Sequence, residues 1–312
     1  TEIYTLSLHD ALPISGTRTA EIDVVSDIPG GTPRTVTVTL TVIEDGVAVF
    51  PGSDRPFRTG IGPIPREYDG SSTPGAFLDM MNMVSDAGEY MIVQEGWRDS
   101  VATGGRIPSG IDDFIALSRP PFSFDYKPAV AISFHEGGTA DLATSSNPAN
   151  DWTNEDAKAQ YLETAMTILD TYDNVEYLGL GIEVNVYMVL HPDDFSRYMD
   201  AYKEMAASIK SSHPDVKLFV SFQYEHMKGI GDSTWGYSVD PHWDVLDDFG
   251  DILDLIAFTT YPEVEYASVS EIPENYYTQI RQHTEKPVVF TEIGRSSMPS
   301  PLKPNSKVDF IQ

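Results

Sequence analysis

Cysteine is absent from the 312 residues, which excludes a disulfide framework, thiolate catalysis and any Cys-based zinc site. Positive charge is scarce: 20 Lys plus Arg stand against 48 Asp plus Glu, for a formal net charge of -28 and a pI ≈ 4.3. A surface of that sign repels phosphate backbones, so nucleic acid is excluded as an expected partner. The same acidity leans toward salty or extracellular surroundings. No run of about eighteen apolar residues occurs, so no membrane span is encoded. Ligand-type residues at His135-Glu136, Glu225-His226 and His191-x-Asp193 lack the HExxH spacing of a zinc site. Gly104-Gly105 and Gly137-Gly138 have no phosphate-loop context, and Ser133 and Ser221 lie in no GxSxG elbow. The expectation is therefore no metal and no cofactor.

What is present suffices for one large domain: 41% hydrophobic and 11% aromatic residues can fill a sizeable core. The first fifteen residues, 1–15, lack the basic start and apolar centre of a signal peptide. They read as a translated sequencing adapter, as in an environmental, metagenomic fragment. In 16–43, alternation at Ala20, Ile22 and Val24 and then Val36, Val38, Leu40 and Val42 flanks a Pro-Gly-Gly-Thr-Pro turn, which predicts a β-hairpin. It resembles the last strands of an immunoglobulin-like β-sandwich, so a truncated accessory domain is expected there, with 44–56 as linker.

From 57 to 312 strand-like and helix-like segments alternate, the pattern of βα repeats around a parallel sheet. The predicted strands are Phe57–Gly62, Tyr90–Glu95, Ala129–Phe134, Tyr177–Glu183, Leu218–Phe222, Leu255–Thr259 and Val288–Glu292. Between them, Thr73-Pro74 opens a helix carrying Phe77, Met81 and Val84, with Gly88 placed to end it. Thr153 with Asp156 resembles a capping box for a helix with Ala157, Tyr161, Ala165 and Ile168 on one face. Phe195, Tyr198, Tyr202 and Ile209 form a further stripe that stops at His213-Pro214. No eighth strand is visible after Glu292. The predicted fold is α/β, a TIM (β/α)8 barrel missing its last βα unit.

Two of these strands carry the chemistry. Glu176 to Asn185 is an apolar run ending in Glu183, and Pro287 to Gly294 delivers Glu292 where the apolar residues give way. Two buried strands presenting one Glu each at the C-terminal end place both carboxylates at one mouth of a parallel barrel. Glycosidic hydrolysis uses two carboxyl groups flanking the bond, and a separation of about 5 to 5.5 Å belongs to the retaining, double-displacement mechanism. Each carboxylate raises its neighbour's proton affinity, which allows one to remain an acid near neutral pH.

The motifs GLGIEVN, TTYP at Thr259 to Pro262, and VVFTEIG resemble those of the clan A glycoside hydrolases, retaining (β/α)8 enzymes, and in particular endo-β-glycanases. The resemblance implies Glu183 as acid/base after strand four and Glu292 as nucleophile after strand seven. It implies Tyr261 as the strand-six tyrosine that hydrogen-bonds the nucleophile. Two departures stand out. Most of the clan has an Asn directly before the acid/base to bind the sugar 2-hydroxyl, whereas Ile182 stands here, with Asn185 as the expected substitute. Arg295 occupies a place where related sequences often carry an aromatic residue. Other polar and aromatic side chains collect at the same predicted mouth: Glu95 and Trp97 after strand two, His135 and Glu136 after strand three, and Gln223, Glu225 and His226 after strand five. Sugar sites need paired donors and acceptors for hydroxyls and aromatic faces for the ring. The expected protein is a secreted or cell-surface monomer acting on a β-linked polysaccharide or oligosaccharide. The alternative is a non-catalytic carbohydrate-binding barrel of a polysaccharide-utilisation system.

Overall fold

The computed structural model describes residues 16–24, 34–42, 58–62, 74–87, 89–97, 107–136, 141–142, 151–230 and 236–294. The chain divides into two units, Thr1–Arg58 and Thr59–Gln312. In the first unit β1 (Gly16–Val24) pairs antiparallel with β2 (Arg34–Val42), in register from Gly16↔Val42 to Val24↔Arg34. This is the hairpin that the period-two alternation predicts. The predicted linker, 44–56, lies outside the described residues.

The second unit is an α/β fold on parallel strands taken in chain order. Its strands are β3 (Gly60–Ile61), β4 (Tyr90–Gly96), β5 (Lys127–Ser133), β8 (Tyr177–Gly179), β9 (Lys217–Phe219), β10 (Ser221–Gln223), β11 (Ile256–Thr260) and β12 (Val288–Ile293). A short antiparallel ribbon, β6 (His135–Glu136) with β7 (Asp141–Leu142), follows β5. The ladders run β3-β4-β5-β8-β9 and β10-β11-β12, parallel throughout. Only Val220 separates β9 from β10. Leu180 N donates to Phe219 O over 3.0 Å and Ser221 N to Gly181 O over 3.1 Å, so the two ladders are one sheet with a kink at the predicted strand Leu218–Phe222.

The sheet is rolled. The Gln94 amide on β4, the second strand, donates to the Glu292 carboxylate on β12, the seventh. Strands lie ~4.8 Å apart in a flat sheet, which would keep these two residues ~24 Å apart. Their side chains meet because the strands curve round a common interior. That interior is filled by Ala131, Phe219, Leu255 and Ala257, with Ile92, Tyr177, Ile182 and Val289 packed against them. The opposite faces of the same strands, carrying Met91, Val93, Val130, Ile132, Leu178, Leu218 and Phe258, pack in the outer cluster with the helices. The period-two alternation of a strand thus sorts side chains into a barrel lumen and a strand–helix layer.

The helices are α1 (Pro74–Ala87), α2 (Ser109–Leu117), α3 (Glu155–Thr171), α4 (Val184–Leu190), α5 (Pro192–Ser212), α6 (Tyr224–Met227) and α7 (Val245–Phe249). Pro74 opens α1, where a missing N–H costs nothing; Gly88 lies outside the described residues. The start of α3 differs from expectation. Asn154, not Thr153, caps it, its side chain accepting from the amides of Asp156 and Ala157, while Thr153 is drawn back to the Asp151 carboxylate.

The fourth strand also differs. It ends at Gly179 rather than Glu183, and α4 starts at Val184, so Glu183 sits in the turn between them. The cause is local crowding at Gly181, where a Cβ would come within 2.5 Å of Val184 and 2.8 Å of the Tyr198 hydroxyl. Only glycine lets the chain pass there and swing outward. The eighth-strand question and Arg295 both concern residues 295–312, outside the described residues.

Candidate active site

Glu183 is held by its backbone before its side chain is considered. Its φ of 52 and ψ of 43 place it in the left-handed region, a conformation that costs a non-glycine residue ~1 kcal/mol or more and that tends to occur at functional turns. The turn is pinned on two sides. Glu183 N donates to Ser221 Oγ over 3.1 Å, and His135 Nε2 lies 2.7 Å from the Ile182 carbonyl, so the ring must carry its proton there. Burial lowers the His135 pKa to about 4, with the Ile182 bond opposing and His191 adding to the shift. His135 is therefore a neutral brace at ordinary pH, stacked 5.7 Å from Tyr187.

Glu292 reaches the interior through a bulge. Along β11 and β12 the register is Ala257↔Val289, Phe258↔Phe290 and then Thr259↔Glu292, leaving Thr291 as an extra residue. Val289 faces the lumen, so strict alternation would aim Thr291 inward and Glu292 toward the helices. The bulge reverses that parity. Thr291 instead turns its hydroxyl to the Phe258 carbonyl, 3.3 Å away. Each carboxylate oxygen of Glu292 then has a donor, Gln94 Nε2 on Oε1 and the Tyr261 hydroxyl on Oε2.

Thr259 joins the two glutamates. Its main chain pairs with Glu292, and its Oγ1 donates to Glu183 Oε1 over 2.6 Å. Burial raises the Glu183 pKa to about 7; the Thr259 bond opposes the rise, and the charges of Glu292 and Glu225 add to it. Burial and Glu292 together push the Tyr261 phenol well above its ordinary value, so it stays a donor. The arrangement holds one carboxyl able to carry a proton near neutrality beside a second whose two oxygens each accept a hydrogen bond.

Behind this pair lies a buried network centred on Glu225, which has no solvent exposure. Its carboxylate accepts from Gln223 Nε2 at 2.7 Å, Thr260 Oγ1 at 2.7 Å, Tyr276 OH at 2.8 Å and Tyr261 N at 3.1 Å. Those four donors satisfy it completely. Gln223 also caps α6, accepting from His226 N at 2.6 Å. Gln223 and Glu225, expected to bind sugar, are thereby occupied inside the protein and set the position of Tyr261.

Three other expected sugar ligands are placed elsewhere. Asn185 lies on α4, fully buried. Its Oδ1 accepts from Gln223 N at 2.8 Å and its Nδ2 donates to Gln223 O at 3.1 Å, with His226 and His242 at 3.3 and 3.2 Å. It cannot stand in for the sugar-binding Asn, because the chain leaves the strand before reaching it. Glu95 points outward: a Cβ on Gly110 of α2 would lie 2.0 Å from its carboxylate, so the alternation along β4 sends Gln94 in and Glu95 out. Trp97 is only 1% exposed and packs edge-on against Tyr161 at 5.3 Å, a core residue rather than a sugar platform. The Glu136 side chain lies outside the described residues.

Sequence inspection therefore brings together Glu183, Glu292 and Tyr261 and misses Gln94 and Thr259. The signal for Gln94 was in the strand: Ile92 and Gln94 share one face while Met91, Val93 and Glu95 share the other. Thr259 was inside the quoted TTYP motif. Among the described residues no group of three or more His, Asp or Glu is placed to hold a metal ion, and no helix is long and apolar enough to cross a membrane.

The architecture has counterparts among solved structures. An exo-β-1,4-mannosidase from Opitutaceae bacterium strain TAV5 superposes with a TM-score of 0.50 at 10% identity, covering 81% of this chain and 55% of that one. The fold is shared with the clan A glycoside hydrolases. A family 1 β-glucosidase from Thermotoga maritima gives a TM-score of 0.38 at 14% identity over 62% of this chain and 57% of the other. The chain thus spans just over half the length of these structures. No family model matches the sequence, and no curated protein matches it. The α/β fold on a parallel sheet that the alternating strand-like and helix-like segments predict is present, at 10% identity to the mannosidase.

Proposed function

We propose that this chain is the catalytic part of a retaining glycoside hydrolase acting on a β-linked polysaccharide, with Glu292 as nucleophile and Glu183 as acid/base. The observation that carries the proposal is the contrast between the two carboxyls. Glu183 is raised to about 7 by burial, and Glu292 receives hydrogen bonds from Tyr261 and Gln94 on both oxygens. In this reading Glu183 delivers its proton to the glycosidic oxygen as Glu292 attacks the anomeric carbon, forming a covalent glycosyl ester and releasing the aglycone alcohol. Glu183, now ionised, takes a proton from water, which attacks the same carbon and frees Glu292. Thr259, bonded to one glutamate and paired with the other, holds the two in fixed relation.

The substrate is proposed as a β-glycan cleaved internally by a secreted or cell-surface protein. The fold neighbour is an exo-β-1,4-mannosidase, so the assay panel should include aryl β-glycosides as well as β-mannans, β-glucans and β-galactans. The decisive experiment is trapping with the 2-deoxy-2-fluoro aryl glycoside of whichever sugar is cleaved, followed by peptide mapping. The expected adduct is on Glu292. An adduct on another residue removes the assignment, and carbohydrate binding without cleavage of any panel member favours the non-catalytic barrel.

A further inference from the structure

In the family the motifs resemble, the residue before the acid/base binds the sugar 2-hydroxyl, and the residue at that position here has no polar side chain. At the position before Glu183 stands Ile182, whose side chain packs against the apolar lumen cluster and has no polar atom to offer. Asn185 is consumed by Gln223 and the two histidines. Gln94 is different. Its Nε2 donates to Glu292 Oε1, which fixes the amide orientation, because a carboxylate oxygen cannot face the amide carbonyl. Its Oε1 is buried and has no hydrogen-bond partner among the described residues. A buried acceptor left without a donor is rare in folded proteins and calls for an explanation such as a ligand that supplies one.

We propose that Gln94 is a substrate-binding residue whose Oε1 accepts the hydrogen bond of the hydroxyl on the carbon next to the anomeric centre, taking over the task that Ile182 cannot perform. This rests on the glycosidase reading above. The choice of hydroxyl follows from chemistry. Gln94 is bonded to the carboxylate that would join the anomeric carbon, so its free acceptor lies beside that carbon's immediate neighbours. Those neighbours are the ring oxygen and the glycosidic oxygen, neither of which has a proton to give, and C2, whose hydroxyl does. A hydrogen bond there strengthens as charge develops at the anomeric carbon. One side chain on the second strand would then orient the nucleophile with its nitrogen and read the sugar with its oxygen.

The test is a coupling measurement. An aryl β-glycoside that the wild-type chain cleaves and its 2-deoxy analogue are compared by kcat/KM in wild type, Gln94→Met and Gln94→Asn. Loss of the bond to Glu292 slows both substrates alike, and incomplete folding lowers both alike, so neither alters the ratio between them. The expected result is that the preference for the 2-hydroxyl falls about tenfold or more in both variants, the size of one lost hydrogen bond between the two partners. A preference unchanged from wild type overturns the assignment of Gln94 while leaving the hydrolase intact. Absence of cleavage by wild-type protein on every parent glycoside overturns the reading beneath it, and this proposal with it.

Discussion

Thr259 donates to Glu183 from 2.6 Å while its main chain is paired with Glu292, so one threonine sits in the bonding network of both candidate catalytic groups. Its hydroxyl favours the ionised form of Glu183 and restrains a pKa that burial has raised to about 7. Thr259→Val keeps the strand's shape and removes only the donor. The alkaline limb of the kcat/KM profile, which in the proposed mechanism reports protonated Glu183, is expected to move to higher pH. A profile with an unmoved limb would mean that another group sets it.

The same burial has a consequence for stability that does not depend on substrate. The Glu183 pKa is raised in the folded state from its ordinary 4.5 to about 7, so between those values the folded chain binds a proton that the unfolded chain has released. Stability contributed by this group is therefore present below the lower value and is lost as pH rises toward the upper one. Glu183→Gln removes the ionisation altogether. Urea unfolding is expected to find the variant more stable than wild type by about 3 kcal/mol at pH 8, with the difference vanishing near pH 4. Equal stabilities at pH 8 would show that the carboxylate is well solvated.

The barrel was legible because each strand is a short apolar run closed by a polar tip, and α1 and α5 announce themselves by Pro and by aromatic stripes. What stayed hidden was parity and path. Nothing in Val288–Ile293 says that Thr291 is an extra residue, since a bulge is decided by the neighbouring strand's register. Strict alternation would turn Glu292 away from the lumen, and its place at the strand end gives no sign of the bulge that brings it inward. At Glu183 the left-handed turn depends on how closely Phe134, Tyr198 and Val184 approach Gly181, a fact of tertiary packing. Gln223, Glu225 and Asn185 look like sugar ligands by residue type and position. They prove to be one another's partners, and only the three-dimensional hydrogen-bond count separates those two uses.

Glu225 makes a second prediction about stability. Four donors converge on its carboxylate with no solvent exposure, and deleting the acceptor would strand buried hydroxyls and amides. Glu225→Ala is expected to cost about 3 kcal/mol or more and to lower the melting temperature by roughly 10 °C. Activity should fall with it, because the Tyr261 amide loses its anchor. A thermal scan within a few degrees of wild type would show that the network can repack.

Tyr261 separates positioning from binding most cleanly. Its hydroxyl meets Glu292 Oε2, and its pKa is pushed up by burial first and by the Glu292 bond next, so it remains a proton donor across the working range. In the proposed mechanism that bond holds one nucleophile oxygen in line while the other attacks. Tyr261→Phe retains the ring and its packing and removes one oxygen. The expected loss is about 10²-fold in kcat, with KM changed far less, because the bond aligns a reacting group rather than binding sugar. If the loss appears in KM instead, the phenol is a substrate ligand, and the Glu292 carboxylate must be oriented by Gln94 alone.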